Sequence, residues 1–142
     1  MLMLTMLGAC NEHSETAPAD TNTPAPQTTE CYSFVKDKDS ITLKLVLNDS
    51  LVSGDLNYNF FEKDRNTGSI TGKLTGDTII AEYYFMSEGL QSSREVAFLR
   101  KGDSMLEGFG GVEDINGKTV FKDRATLTFD TVNVLTKVDC AK

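Results

Sequence analysis

The chain has 142 residues, 39% of them hydrophobic and 25% charged, with a formal net charge of -7, which suits one domain of ordinary size plus a tail. With 21 acidic against 14 basic side chains, it lacks the cationic excess that phosphate backbones require, so a nucleic-acid partner is not expected. A single histidine, His13, and the absence of tryptophan shorten the list of catalytic and metal-binding schemes before any motif is sought.

Residues 1–9 form an apolar run ending Leu7-Gly8-Ala9 ahead of Cys10. This resembles the lipobox of bacterial lipoproteins, and the resemblance implies that Cys10 is the lipidated residue: small residues enter a signal-peptidase site and the thiol accepts the diacylglyceryl group. No Lys or Arg precedes Lys36, whereas a secretory signal carries a basic stretch before its apolar one. Residues 1–9 are therefore expected to be the remnant of a truncated signal peptide, too short to span a bilayer.

Residues 11–30 contain all three prolines (Pro18, Pro24 and Pro26), five threonines and four acids, and no Val, Ile, Leu, Met or aromatic residue. Such a stretch cannot build a core, so residues 10–30 are expected to be a lipidated cysteine and an extended tether. Ser/Thr/Pro-rich stalks also attract O-glycosylation. His13 lies within this tether and is expected to be solvated. Glu12 and Glu15, close behind Cys10, are compatible with acidic sorting signals that deliver some lipoproteins to the cell surface.

With Cys10 assigned to lipid, Cys31 and Cys140 remain as an even pair, expected to form a disulfide in an exported domain spanning 31–142. The alternative is two buried free thiols. Between them the pattern has period two. Ile41, Leu43, Leu45 and Leu47 share one strand face, as do Val52, Leu56, Tyr58 and Phe60, then Ile79, Ala81, Tyr83 and Phe85, then Val96 and Phe98. No long stretch has helical spacing. Gly54, Gly72, Gly108 and Gly110 fall inside strand-like runs, where glycine marks bulges or coiling.

Asp followed by Ser or Thr and an apolar residue occurs at Asp39, Asp49, Asp77, Asp103 and Asp130. Asp accepts backbone amides just ahead of it and makes compact turns, and Gly76 and Gly102 before two of them suit type II′ hairpins. The last four lie 26 to 28 residues apart, the length of two strands and two connections. They are expected at one tight end of a meander, with the connections near 62–68, 87–93 and 113–117 at a looped end. Strands at this rhythm imply an all-β, antiparallel up-and-down meander of eight or nine strands, closed into a small barrel because closure removes open edges. A two-sheet sandwich is the alternative.

Lipobox, Thr/Pro tether and cysteine-flanked β domain together resemble the small envelope lipoproteins common in Bacteroidota-type bacteria, for which no activity is implied. The segments Glu62–Gly68, Ser87-Glu88-Gly89 and Arg94–Phe98 look like recurring elements of such domains. The lipocalin-like superfamily is similar only in inferred architecture, because its usual Gly-x-Trp has no counterpart here.

The run Glu62-Lys63-Asp64-Arg65 puts four charges on one connection. It is a candidate polar mouth, through Glu62, Asp64, Arg65 and Glu88, or simply a solvated hairpin whose charges oppose aggregation. Arg94 shares the inward face of Val96 and Phe98, so it needs a partner, Glu88 or Glu82, or a polar ligand. Tyr58, Tyr83, Phe85 and Phe98 are the apolar candidates to line a ligand site beneath it.

Catalytic patterns are not found. The domain lacks histidine and a Gly-x-Ser-x-Gly elbow, its carboxylates show no spacing that predicts a glycosidase pair, and Gly108-Phe109-Gly110-Gly111 lacks the Gly-Lys of a P-loop. Asp37-Lys38-Asp39-Ser40 lacks the central glycine and distal glutamate of a calcium loop. No cofactor or metal is expected. The leading expectation is a non-catalytic lipoprotein, anchored in the outer membrane through its N-terminal lipid and facing the periplasm or cell surface, whose looped end meets another envelope protein. The alternative is a barrel that binds a small apolar or amphipathic ligand.

Overall fold

The computed structural model describes residues 26–63 and 65–141. The lipobox with Cys10, the tether before residue 26, and Asp64 lie outside the described residues.

The chain forms a closed antiparallel barrel of eight strands with a hairpin outside it. Seven strands meander: β1 (Thr28–Lys36), β2 (Asp39–Asn48), β3 (Leu51–Asn59), β4 (Arg65–Thr75), β5 (Thr78–Ser87), β6 (Leu90–Lys101) and β7 (Ser104–Phe109). The hairpin of β8 (Val112–Ile115) and β9 (Lys118–Phe121) then folds against the outside of β6, with Thr119 in parallel register with Arg94. A short 3-10 turn, Arg124–Thr126, leads to β10 (Thr128–Phe129) and β11 (Leu135–Val138).

These last two pieces act as one interrupted eighth strand. β10 pairs with Phe109 and Gly108, β11 pairs with Met105 and Ser104, and the other edge of β11 pairs with β1, Cys31 opposite Val138. The barrel closes there. Cys31 and Cys140 are bonded across the seam with Cα atoms 5.2 Å apart. β1 begins at Thr28, inside the stretch whose composition suggested tether, and its Glu30 already contributes to the barrel.

The period-two faces explain the interior. Leu43, Leu45, Leu56, Val52, Ile79, Tyr83, Val96 and Phe98 are all essentially inaccessible and form one core with Tyr32, Ile70, Met105 and Leu135. An eight-stranded barrel has an interior just wide enough for such side chains to fill it. Coiling this tight requires strands to approach closely where β4 crosses: a Cβ on Gly68 would lie 1.8 Å from the backbone oxygen of Tyr84.

The turns at Asp49, Asp77 and Asp103 do share one end, as their spacing predicts. Gly76 and Gly102 have φ of +62° and +56°, as type II′ hairpins require. Two of the five Asp motifs behave otherwise. Asp39 opens β2 while the turn is Asp37-Lys38, and its carboxylate instead accepts the Phe61 amide at 2.7 Å. Asp130 starts the bulge 130–134 inside the eighth strand, accepting the Val132 amide at 2.8 Å. The opposite end holds the 60–64 connection and the β7–β8 link, but Glu88-Gly89 is a tight two-residue turn with both φ positive, so it is looped only in part.

Because the bridge closes a loop of 109 residues, it removes about 4 to 5 kcal/mol of unfolded-chain entropy in the loop-closure treatment. Urea unfolding with and without reductant, and of Cys31→Ser/Cys140→Ser, is expected to show a loss of stability of that order with the folded far-UV spectrum retained. Coincident midpoints would show that the pairing of β1 with β11 closes the barrel unaided.

Candidate functional site

Alternation carries the inward residues of β6 from Arg94 through Val96 and Phe98 to Arg100. One cation therefore stands at each end of the apolar core. At the tight end Arg100 donates to Glu30 at 2.8 Å, and the Tyr32 hydroxyl donates to the same carboxylate at 3.3 Å. That end is closed by an ordinary ion pair.

The looped end is built differently. Arg94 lies under the rings of three inward aromatics, its guanidinium carbon 5.5 Å from the Tyr58 centroid, 5.6 Å from Tyr83 and 5.8 Å from Phe85. Tyr83 and Phe85 stack at 4.8 Å, and Tyr58 meets Tyr83 edge-on at 5.9 Å. The Tyr83 hydroxyl donates to the Leu56 carbonyl at 2.8 Å, which ties β5 to β3 over the intervening β4.

Opposite stands Glu107 of β7, 5% exposed and the one buried charged side chain among the described residues. The Tyr58 hydroxyl donates to Glu107 Oε1. Burial pushes the Glu107 carboxyl above its ordinary range, while the Tyr58 hydrogen bond and the Arg94 charge pull it down. Burial first, then the Glu107 charge, holds Tyr58 well above its ordinary value, and burial raises Tyr83 to about 12. Both phenols are neutral across the physiological range.

Around Arg94 and Glu107 a mouth depression of about 200 Å³ is lined by Ile41, Tyr58, Phe60, Asn66, Phe109, Asp130 and Asn133. Asp130 and Asn133 come from the bulge in the eighth strand, so that interruption delivers polar groups to the mouth. A larger open groove of about 660 Å³ runs outside β1–β3 beside the disulfide, over Ser33, Thr42, Lys44, Asp55 and Asn57. It is an open sheet surface that also includes Leu43, Val138 and the two bridged cysteines, and it holds no buried charge.

Of the residues singled out from sequence, Tyr58, Tyr83, Phe85 and Arg94 come together at the mouth. Phe98 is fully buried deeper in the core, beside Glu107 in the β6–β7 register. Glu62 sits in the left-handed tip of the 60–64 connection with φ +58°, and Arg65 bonds Asn59 Oδ1 at 3.2 Å. Glu88 occupies the β5–β6 turn. Glu82 is not the Arg94 partner: strand alternation puts it on the outer face, where it pairs with Lys118 at 2.6 Å and is held below its ordinary range by that contact. Glu107 was missed, although Met105, Glu107 and Phe109 alternate onto one face.

A folded-state pKa above the unfolded value means that Glu107 contributes most below its unfolded pKa and that the contribution is lost as pH rises through the folded one. Glu107→Gln keeps an acceptor for Tyr58 and abolishes that loss. At pH 7 the variant is expected to match or exceed the parent in urea unfolding, with the difference shrinking as pH falls. A variant less stable at pH 7 than at pH 4, relative to the parent, would mean that Glu107 is an ionised partner of Arg94. Comparison with protein-family models, with curated proteins and with solved structures finds no match to this chain.

Proposed function

We propose that this protein is a non-catalytic lipoprotein of the cell envelope, held to the outer membrane through Cys10, and that the looped end of its barrel docks another envelope protein. The observation that carries the reading is the placement of exposed apolar side chains. Phe61, Leu90, Phe109, Ile115, Met86 and Val35, between 46% and 70% exposed, all lie at the looped end, whereas Leu51 and Val138 are the exposed counterparts at the tight end. Apolar side chains gathered at one end are a feature of surfaces that meet a partner.

Strand direction agrees with this arrangement. β1 runs from the tight end to the looped end, so a lipid-anchored segment before Thr28 leaves the barrel on the far side from the apolar cluster. Lys38 stands 4.2 Å from the Phe61 ring centroid, and the Phe61 amide donates to Asp39. Two connections are thus tied together, which lowers the ordering cost of binding.

A barrel enclosing an apolar ligand is less favoured. Tyr58, Tyr83 and Phe98 fill the interior, and the mouth depression of about 200 Å³ falls below the range of about 300 to 1,000 Å³ that holds drug-sized ligands.

Cells fed an alkyne-tagged fatty acid are expected to label the protein, and Cys10→Ser to abolish the label and release the chain from the membrane fraction. An unlabelled, membrane-free parent would remove the anchor from the reading. Separately, a photo-crosslinking amino acid in place of Leu90 or Phe61 is expected to yield a discrete crosslinked band in living cells, and the same probe in place of Leu51 none. Equal yields at both ends, or none at either, would sink the docking role.

A further inference from the structure

The two inward arginines of β6 differ in a way that the fold does not require. Arg100 has its carboxylate, Glu30, at 2.8 Å. Arg94 has three aromatic rings within 6 Å, and it is not among the arginines that form ion pairs with carboxylates of the described residues, Arg100 and Arg124. Cation–π attraction uses the charge of an arginine and leaves its N–H donors free to bond water or a ligand, whereas the Nε of Arg100 is buried without a partner among the described residues. The Arg94 donors border the mouth depression.

We infer that the mouth of the barrel is a carboxylate-binding site with Arg94 as its anchor. A planar carboxylate matches the guanidinium fork and takes two parallel hydrogen bonds. A dianionic phosphate fits worse, because Glu107 and Asp130 line the same space and repel a dianion about twice as strongly as a monoanion. The volume of about 200 Å³ equals the liquid share of about six or seven waters, enough for a carboxylate carrying a few carbons or one aromatic ring. Tyr58, Phe60 and Phe109 supply apolar walls for that remainder, and Asn66 and Asn133 supply amide donors. Glu107, which lines the same space, opposes an incoming anion when ionised. The inference stands apart from the docking reading, since a free metabolite or the carboxylate of a bound protein would use the same atoms.

Benzoate is the probe, titrated into the full chain and followed by NMR at the Arg94 Nε–H and the Tyr58 and Tyr83 ring protons. Saturable shifts are expected with Kd on the order of 1 mM, the affinity of one charge-assisted pair in a wet site. Benzamide, equal in shape and uncharged, is expected to leave Arg94 unmoved. Arg94→Gln should weaken benzoate at least about tenfold, and Glu107→Gln should tighten it by removing a repelling carboxylate. Absence of saturable shifts in both parent and Glu107→Gln, equal binding of benzamide, or benzoate binding unchanged in a folded Arg94→Gln would each overturn the site. Should Arg94→Gln fail to fold, the Glu107→Gln and benzamide arms still decide. Short peptides with free or amidated C-termini separate the two sources: preference for the free terminus points to a protein carboxylate, and benzoate binding without peptide binding points to a free small acid.

Discussion

Everything in this fold depends on β1 finding β11. A meander of seven strands has two raw edges, and the only strand left to cover both is the broken one made of β10 and β11. β11 is four residues long, too short to hold a seam strongly by hydrogen bonds alone. The Cys31–Cys140 bond sits at this short pairing of three residues in register. Closure in turn sets the radius, the radius admits side chains rather than solvent, and the alternating apolar faces of β2, β3, β5 and β6 then have one place to go.

A closed and filled cylinder leaves its polar inward residues only two exits, the ends. β6 is long enough to reach both, which is why it carries an arginine to each. At one end the charge is neutralised by Glu30. At the other, three rings take the place that Glu30 has at the first end, and Glu107 stands behind Tyr58, so charge and countercharge communicate through a phenol rather than touch. The bulge at 130–134 belongs to the same logic: a strand interrupted beside Glu107 offers its own backbone, the Asp130 amide bonding the Glu107 carbonyl at 2.9 Å, and turns Asp130 and Asn133 toward the mouth.

Much of this was legible in the sequence. Strict alternation over 41–47, 51–61, 78–86 and 93–101 named the interior residues correctly because one face of each strand is wholly buried, and a one-residue slip would have exposed all of them. The same rule put Arg94 inside. It did not name the surroundings of Arg94, because which carboxylate an inward arginine meets depends on barrel closure and stagger, which are not local. Glu82 looked available only until alternation was applied to it as strictly as to Arg94. Glu107 escaped because β7 is six residues long and reads as an apolar run flanked by glycines, in which one acid gives no period. Asp130 misled for a chemical reason: an Asp accepting its own downstream amides makes a bulge as readily as a hairpin, so the motif reports a bend and not its position. The outer hairpin β8–β9 lies beyond the meander rhythm altogether.

The seam has a mechanical consequence. The segment before Thr28 and the end of the chain leave the barrel side by side, and only three residues of β1, Thr28 to Glu30, precede the crosslinked Cys31. A pull applied through the N-terminal segment can peel those three residues and then meets a covalent stop. Beyond it the load is shared between β1 and, through the disulfide, β11, so the two seam strands are pulled together rather than unzipped. Peeling from the N-terminal side therefore ends at the seam, at the opposite end of the barrel from the mouth.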